Sequence, residues 1–281
     1  MPDTGPRSNY RNSAFARRNK YTGALESRGM KPRPNYGIDS PYIIAGELGA
    51  GAGIIALAIA FPHLLGLPSF WVGLAVGLLL LNSAIGMIYY SKVGKLRIRD
   101  ELLGSIPWRG DETVVDVGCG RGLLLVGAAR RLTAGRAIGV DLWLPNALTG
   151  NEPNSALHNA ALEGLASRTE VRNGDARDLP LPDESVDIVV SNFVLHEMQT
   201  RGERQKMVRE IARVLKPGGR VALTDFIFTA QCVSDLIELG LAGVERSRMT
   251  GFWTTAVTSF GTVRLYKVIG TKDSVSAGPG P

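Results

Sequence analysis

The stretch Thr113-Val114-Val115-Asp116-Val117-Gly118-Cys119-Gly120-Arg121-Gly122-Leu123 decides the fold. Five residues dominated by valine and threonine suit an extended strand buried on both faces. Three alternating glycines follow, and then an apolar run with helical character. A glycine loop between strand and helix lets ligand atoms approach the backbone at a topological switch point. A dinucleotide fingerprint starting at Gly118 needs glycine at 123, where this chain has Leu123. The glycines read G-x-G-x-G instead, with Asp116 two residues before the first. An acid there suits a ligand carrying an ammonium group, not a pyrophosphate.

Working outward, short apolar strands alternate with helical stretches from about residue 107. Strands are expected over 113–117, 136–140, 169–172, 186–191 and 219–225, and helices over 122–132, 155–165 and 201–215. Such alternation implies βαβ units and a mostly parallel sheet in an α/β, Rossmann-like domain. A helix over 230–246 and a final antiparallel hairpin of 252–259 with 262–269 complete it.

Four more features recur in order and spacing. Asp141 ends the second strand, 25 residues after Asp116. Asn173-Gly174-Asp175-Ala176 follows the third strand. Asp187-Ile188-Val189-Val190-Ser191-Asn192 forms the fourth, and Leu215-Lys216-Pro217-Gly218-Gly219 precedes the fifth. Over residues 107–271 the chain resembles the class I S-adenosylmethionine-dependent methyltransferases. The Leu195-His196-Glu197 run and the Leu-Lys-Pro-Gly-Gly turn are similar to the type 11 branch that includes ubiquinone/menaquinone-biosynthesis and sterol methyltransferases. The resemblance implies S-adenosyl-L-methionine as cofactor, held by Asp116, Gly118, Cys119, Gly120, Gly122, Asp141, Leu142, Asp175, Ala176 and Asn192. In that family Asp141 holds the ribose hydroxyls, and Asp175-Ala176 receives the adenine amino group. A carboxylate can accept both hydrogen bonds of a vicinal diol, one per oxygen. Leu142 and Trp143 are placed to cover a purine face.

The implied reaction is in-line displacement of the sulfonium methyl, which relies on positioning and water exclusion more than on acid–base chemistry. A base is needed only for an oxygen or a weakly acidic carbon acceptor. His196 is the candidate, because histidine titrates near neutral pH. Glu197 could orient it, and Asp225 is a second candidate lining the site. Cys119 and Cys232 lie far apart and form no metal site or disulfide framework. No metal is expected.

The N-terminal third is different. Of the 281 residues, 44% are hydrophobic and 21% charged, but the two kinds are strongly segregated. Residues 1–40 hold eight basic and three acidic side chains, 41–91 hold Glu47 alone, and the remainder holds 24 basic and 22 acidic. With the globular part nearly neutral, nucleic acid loses support as the main partner. Residues 1–41 read as a basic, disordered tail, ordered at most near 35–41. Residues 43–61 and 70–90 each approach the ~20 apolar residues needed to cross a bilayer. The link between them, 62–69, carries no charge unless His63 is protonated. The pair, within 42–91, reads as a transmembrane hairpin, although its glycines also allow a buried soluble hairpin. Lys and Arg crowd both outer flanks, so the tail and catalytic domain are expected on the cytosolic face. Residues 92–106 read as a linker or amphipathic helix, and 272–281 as a disordered tail.

A hairpin so close to the catalytic domain suggests a lipid-like or other apolar small-molecule acceptor. The alternatives are a soluble metabolite, with the hairpin used only for localisation or assembly, and a non-catalytic cofactor-binding scaffold.

Overall fold

The structure, a computed structural model, describes residues 33–62, 66–144, 147–250 and 264–274. In chain order the elements are α1 (Pro41–Ala60), α2 (Gly66–Tyr89), a π turn (Tyr90–Gly94), α3 (Lys95–Gly104), β1 (Thr113–Val117), α4 (Leu123–Ala129), β2 (Arg136–Asp141), α5 (Pro153–Leu162), β3 (Thr169–Asn173), β4 (Val186–Asn192), α6 (Arg201–Val214), β5 (Leu215–Asp225), α7 (Thr229–Glu238), β6 (Leu241–Arg248) and β7 (Tyr266–Lys272).

The sheet order is β3-β2-β1-β4-β5-β7-β6, parallel through β5, with β7 antiparallel to both its neighbours. β1 is central, and Val114, Val115 and Val117 are fully buried. That is why its sequence runs nearly unbroken in apolar residues instead of alternating. Between β1 and β4 the strand order reverses, opening a crevice at their carboxyl ends for a ligand. One core lies on the α3–α4–α5 face, and a second lies under α6 and α7.

The C-terminal hairpin differs from expectation. The helix expected to reach residue 246 ends at Glu238, and Leu241–Arg248 is instead the strand β6 that pairs with β7. Gly240, at φ 80°, makes the break. The strand expected over 252–259 lies outside the described residues.

Within residues 92–106, Lys95–Gly104 is helical with one buried face. α2, the π turn and α3 form one helical rod, whose apolar candidate span runs over Phe70–Gly104. Lys95, Ile98, Arg99, Leu102 and Leu103 are all buried. They fall at i, i+3, i+4, i+7 and i+8, one face of a helix. Ile98, Leu102 and Leu103 are fully buried in the first core.

α1 and α2 pack against each other. A Cβ on Gly51 would sit 2.9 Å from the carbonyl oxygen of Gly77, so only glycine allows this approach. Glu47, the one charge in α1, accepts a hydrogen bond from Ser83 Oγ across the pair at 3.1 Å. Both helices are long and apolar enough to cross a membrane. Their other faces carry exposed Ile43, Leu57, Ile59, Trp71, Val72, Leu78 and Ile85.

Residues 35–40 are ordered, and they pack on the α/β domain as a strap. Buried Lys95 donates to the Tyr36 and Gly37 carbonyls at 2.7 and 2.8 Å, and to Asp39 Oδ2 at 3.0 Å. Asn159 accepts from the Asn35 amide and donates back to the Asn35 carbonyl. Ile38 pairs with Thr149 through two hydrogen bonds.

Candidate functional site

The loop after β1 is built from left-handed glycines, with φ 71° at Gly118, 50° at Gly120 and 83° at Gly122. A Cβ on Gly118 would collide with Val194 Cγ2. The loop therefore passes close under the segment that follows β4. Cys119 is buried between this loop and Gly139 of β2, where a Cβ would meet its sulfur at 2.6 Å. Burial pushes its thiol well above the ordinary range, so it is a packing residue.

Asp116 is buried at the crevice, and its Oδ2 accepts the Leu125 amide at 2.8 Å. Desolvation lifts it to about 8 despite that hydrogen bond. Asp141 ends β2, accepting the Gly120 amide at 2.8 Å and the Trp143 amide at 2.6 Å. Asn151 Nδ2 also approaches Oδ1 at 3.5 Å, while Oδ2 keeps a further acceptor site. Leu142 stands beside it, but Trp143 turns outward to donate to Asn173 Oδ1 at 2.6 Å and does not line the crevice.

The crevice opens into a chamber of about 630 Å³. Asp116, Gly118, Cys119, Gly120, Asp141, Leu142, Ala176 and Asn192 line one end, beside the glycine loop. Two sequence assignments need correction. The Asp175 carboxylate is not at the wall; Arg177 grips it at 2.6 to 3.1 Å and holds it below the ordinary carboxylate range. Arg177 in turn reaches Glu203. Gly122 is also set back from the chamber, as the N-cap of α4 against Ala156.

At the other end stand Phe193, His196, Glu197 and Phe226. Phe193 meets His196 and Phe226 edge to face, with centroids 5.9 Å apart in each pair, and the His196 and Phe226 rings are tilted by 43° at 4.7 Å. Phe193 adopts φ 58°, a conformation a side chain disfavours, which aims its ring at Tyr90, 5.8 Å away. His196 Nδ1 lies 3.1 Å from Asp225 Oδ2, and Nε2 lies 3.3 Å from Glu197 Oε1. Burial opposes charge on the ring, but the hydrogen bonds to the two carboxylates outweigh it and raise His196 to about 9. Asp225 does not line the chamber. It lies fully buried behind the histidine and also accepts the Phe226 amide at 2.7 Å.

Among the further walls that sequence reasoning did not find are Tyr36, Asp39 and Ser40 from the strap, Met87 from the last turn of α2 and Tyr90 from the π turn. The helical spacing of Lys95 with Ile98, Leu102 and Leu103 carried a signal, since it puts a cation on a buried face that needs a partner.

Residues 115–223 match the family described as "Methyltransferase domain". Over this segment the chain is similar to that family. The chain is 33% identical over 164 residues to 27-O-demethylrifamycin SV methyltransferase of Amycolatopsis mediterranei, covering 58% of this chain and 54% of that one. It is 36% identical over 126 residues to arsenite methyltransferase of Halobacterium salinarum, covering 44% and 30%. It is 31% identical over 157 residues to sarcosine/dimethylglycine N-methyltransferase of Aphanothece halophytica, covering 55% and 53%. The chain thus spans about half or less of the length of these relatives, and their named substrates differ. Among solved structures, a chain of the Haloferax volcanii complex of the Trm112 activator with a methyltransferase aligns with TM-score 0.53 at 19% identity, over 70% of this chain and 96% of that one. The cyclase SpnF aligns with TM-score 0.51 at 20% identity, over 64% and 82%. These two likenesses establish the fold alone.

Proposed function

We propose that the chain is a membrane-anchored, S-adenosylmethionine-dependent methyltransferase, with its catalytic domain on the cytosolic face, acting on a lipid-like or other apolar small molecule. One observation carries this reading: a single chamber runs from the glycine loop to Met87 and Tyr90, at the end of an apolar helix long enough to span a bilayer.

The residues present fit the cofactor. Asp116 is a buried carboxyl whose ionisation awaits a cationic partner, and the Gly118 cradle has room only for backbone. Asp141 offers its remaining acceptor site to a diol, with Leu142 beside it. Adenine would be received by the walls at Gly174 and Ala176, with Asp175 acting through Arg177 and not directly. When bound, S-adenosyl-L-methionine supplies a methyl group on a cationic sulfur. The aromatic walls exclude water and align the acceptor with that methyl. Their faces also favour a neighbouring cation.

His196 is the candidate base for an acceptor oxygen. At about 9 it is an imidazolium at neutral pH in the empty chamber, so it must first lose its proton, and a nearby cation favours that loss. Asp225 is then a positioning residue that fixes the ring through Nδ1. Glu197 is held below its ordinary range, chiefly by its hydrogen bond to His196.

The test keeps the full chain, because deleting residues 1–91 would remove chamber walls and the partners of Lys95. Nanodisc-embedded protein is incubated with radiolabelled S-adenosylmethionine and either total lipid extract or aqueous metabolite extract. Label in the organic phase, absent with Asp141→Ala, is expected. Label only in aqueous products would support a soluble acceptor, with the hairpin used for localisation. No label in either, with cofactor binding intact, would indicate a scaffold.

A further inference from the structure

We infer that the chamber mouth rests on the bilayer, through an apolar rim of Leu142, Leu144, Phe226 and Ile227 that dips into the headgroup layer beside α1 and α2. The inference rests on the membrane-anchored reading above. These side chains are 49%, 54%, 37% and 41% exposed, although isoleucine, leucine and phenylalanine are usually buried. They sit on two loops, after β2 and after β5, whose strands are separated in the sheet by β1 and β4. The loops therefore flank the crevice from opposite sides.

Both loops are held in place. Asp141 accepts the Trp143 amide, fixing the turn between Leu142 and Leu144. Fully buried Asp225 accepts the amides of Phe226 and Ile227 at 2.7 and 3.3 Å. Asp141 at one end of the chamber and Asp225 behind the other thus also present the apolar side chains outward.

The occupant is lipid because the rim is continuous with the lipid-facing helices. Leu142, Leu144 and Phe226 line the same chamber as Met87, in the last turn of α2. Exposed Lys92 and Arg97 lie just beyond that turn, where cations meet anionic headgroups. An amphipathic acceptor would pass from leaflet to chamber without crossing water. Rim side chains are expected ~5–10 Å into the headgroup and acyl boundary.

The experiment needs no acceptor. Cys119 and Cys232 are buried, so introduced thiols can be labelled selectively. Leu144→Cys and Ile227→Cys report the rim, Arg209→Cys an exposed position on α6, and Leu78→Cys the span. Each full-length variant carries an environment-sensitive dye in phosphatidylcholine–phosphatidylserine nanodiscs containing lipids spin-labelled at the headgroup or mid-chain. Headgroup labels are expected to quench positions 144 and 227 several-fold more than 209, and mid-chain labels to quench 78. Equal quenching at 144, 227 and 209, with 78 still quenched mid-chain, would overturn the rim contact and leave the anchor standing. No mid-chain quenching at 78 would overturn the anchored reading and this inference with it. A concentration-dependent dye shift at 144 and 227 in detergent, without quenching in nanodiscs, would assign the rim to a second copy and overturn the lipid contact.

Discussion

Asp116→Asn isolates the charge at the glycine-loop end of the chamber. Burial holds this carboxyl at about 8 in the empty protein, against 3.8 for the free group. At pH 7 the empty chamber therefore holds ~0.9 proton on it. A ligand bringing an ammonium group favours the carboxylate, so binding should expel that proton. Calorimetry with S-adenosylhomocysteine, in buffers of low and high ionisation enthalpy, reads the release as a difference in apparent heat. Asparagine keeps the acceptor for the Leu125 amide but carries no titrating proton, so release should fall by ~0.9 proton at pH 7. A His196→Gln control separates any contribution of the imidazole. The same linkage acts on the empty fold. Because the folded value is raised, the stability contribution is full below ~4 and is lost as pH rises through ~8. At pH 7 the loss is at most on the order of 4 kcal/mol, taking 1.36 kcal/mol for each unit above 3.8. Asp116→Asn should thus flatten the fall in thermal midpoint between pH 5 and pH 8. Equal proton release from wild type and variant, or parallel midpoint curves, would refute this account of Asp116.

Lys95→Met removes three hydrogen bonds to the strap, and with Asp39 partly solvated the cost should be ~2–4 kcal/mol. Denaturant midpoints should fall, and the Ile38 and Asp39 amides should lose exchange protection; unchanged protection would show the strap to be held by other contacts. Gly118→Ala puts a methyl into Val194 and strains a φ of 71°, so it should weaken cofactor binding by ~10-fold or more, about 1.4 kcal/mol. Adding Val194→Ala should recover part of that affinity in the same titration; no recovery would place the cost in the backbone alone. The imidazolium of His196 stabilises the fold fully below ~6.5, and this is lost as pH rises through about 9. Transfer to a hydroxyl acceptor should therefore quicken on the alkaline side, and His196→Gln should remove that limb of the pH–rate profile.

Much of the catalytic domain was legible because its chemistry is local. The Thr113–Val117 strand and its glycines fall in one short segment, and the carboxylates that end β1, β2 and β5 follow from the strand pattern. What escaped depends on distance. Asp175 in Asn-Gly-Asp-Ala gives no sign that Arg177 will claim it. Asp225 was placed at the wall because it ends β5, but the histidine that turns over it comes from the loop after β4. The C-terminal pairing was misassigned because 230–246 has apolar residues at helical and extended spacings, and only Gly240 marks the change. How residues 35–40 are held could not be read from the sequence, because their polar groups are satisfied by Lys95, Asn159 and Thr149, which lie 56 or more positions away in the chain.

The unbroken rod from α2 into α3 leaves the catalytic domain no hinge at its attachment. Thirty-five residues at ~1.5 Å each give a shaft of ~52 Å, of which ~30 Å matches a hydrocarbon layer. The remainder is embedded in the protein core through Ile98, Leu102 and Leu103. Such a shaft is a lever. Set in a bilayer that thins or thickens, a span answers by tilting, and here the tilt would swing the sheet and the Phe193 ring with it. Lipid composition would then act mechanically on the geometry of methyl transfer, as well as through the supply of acceptor.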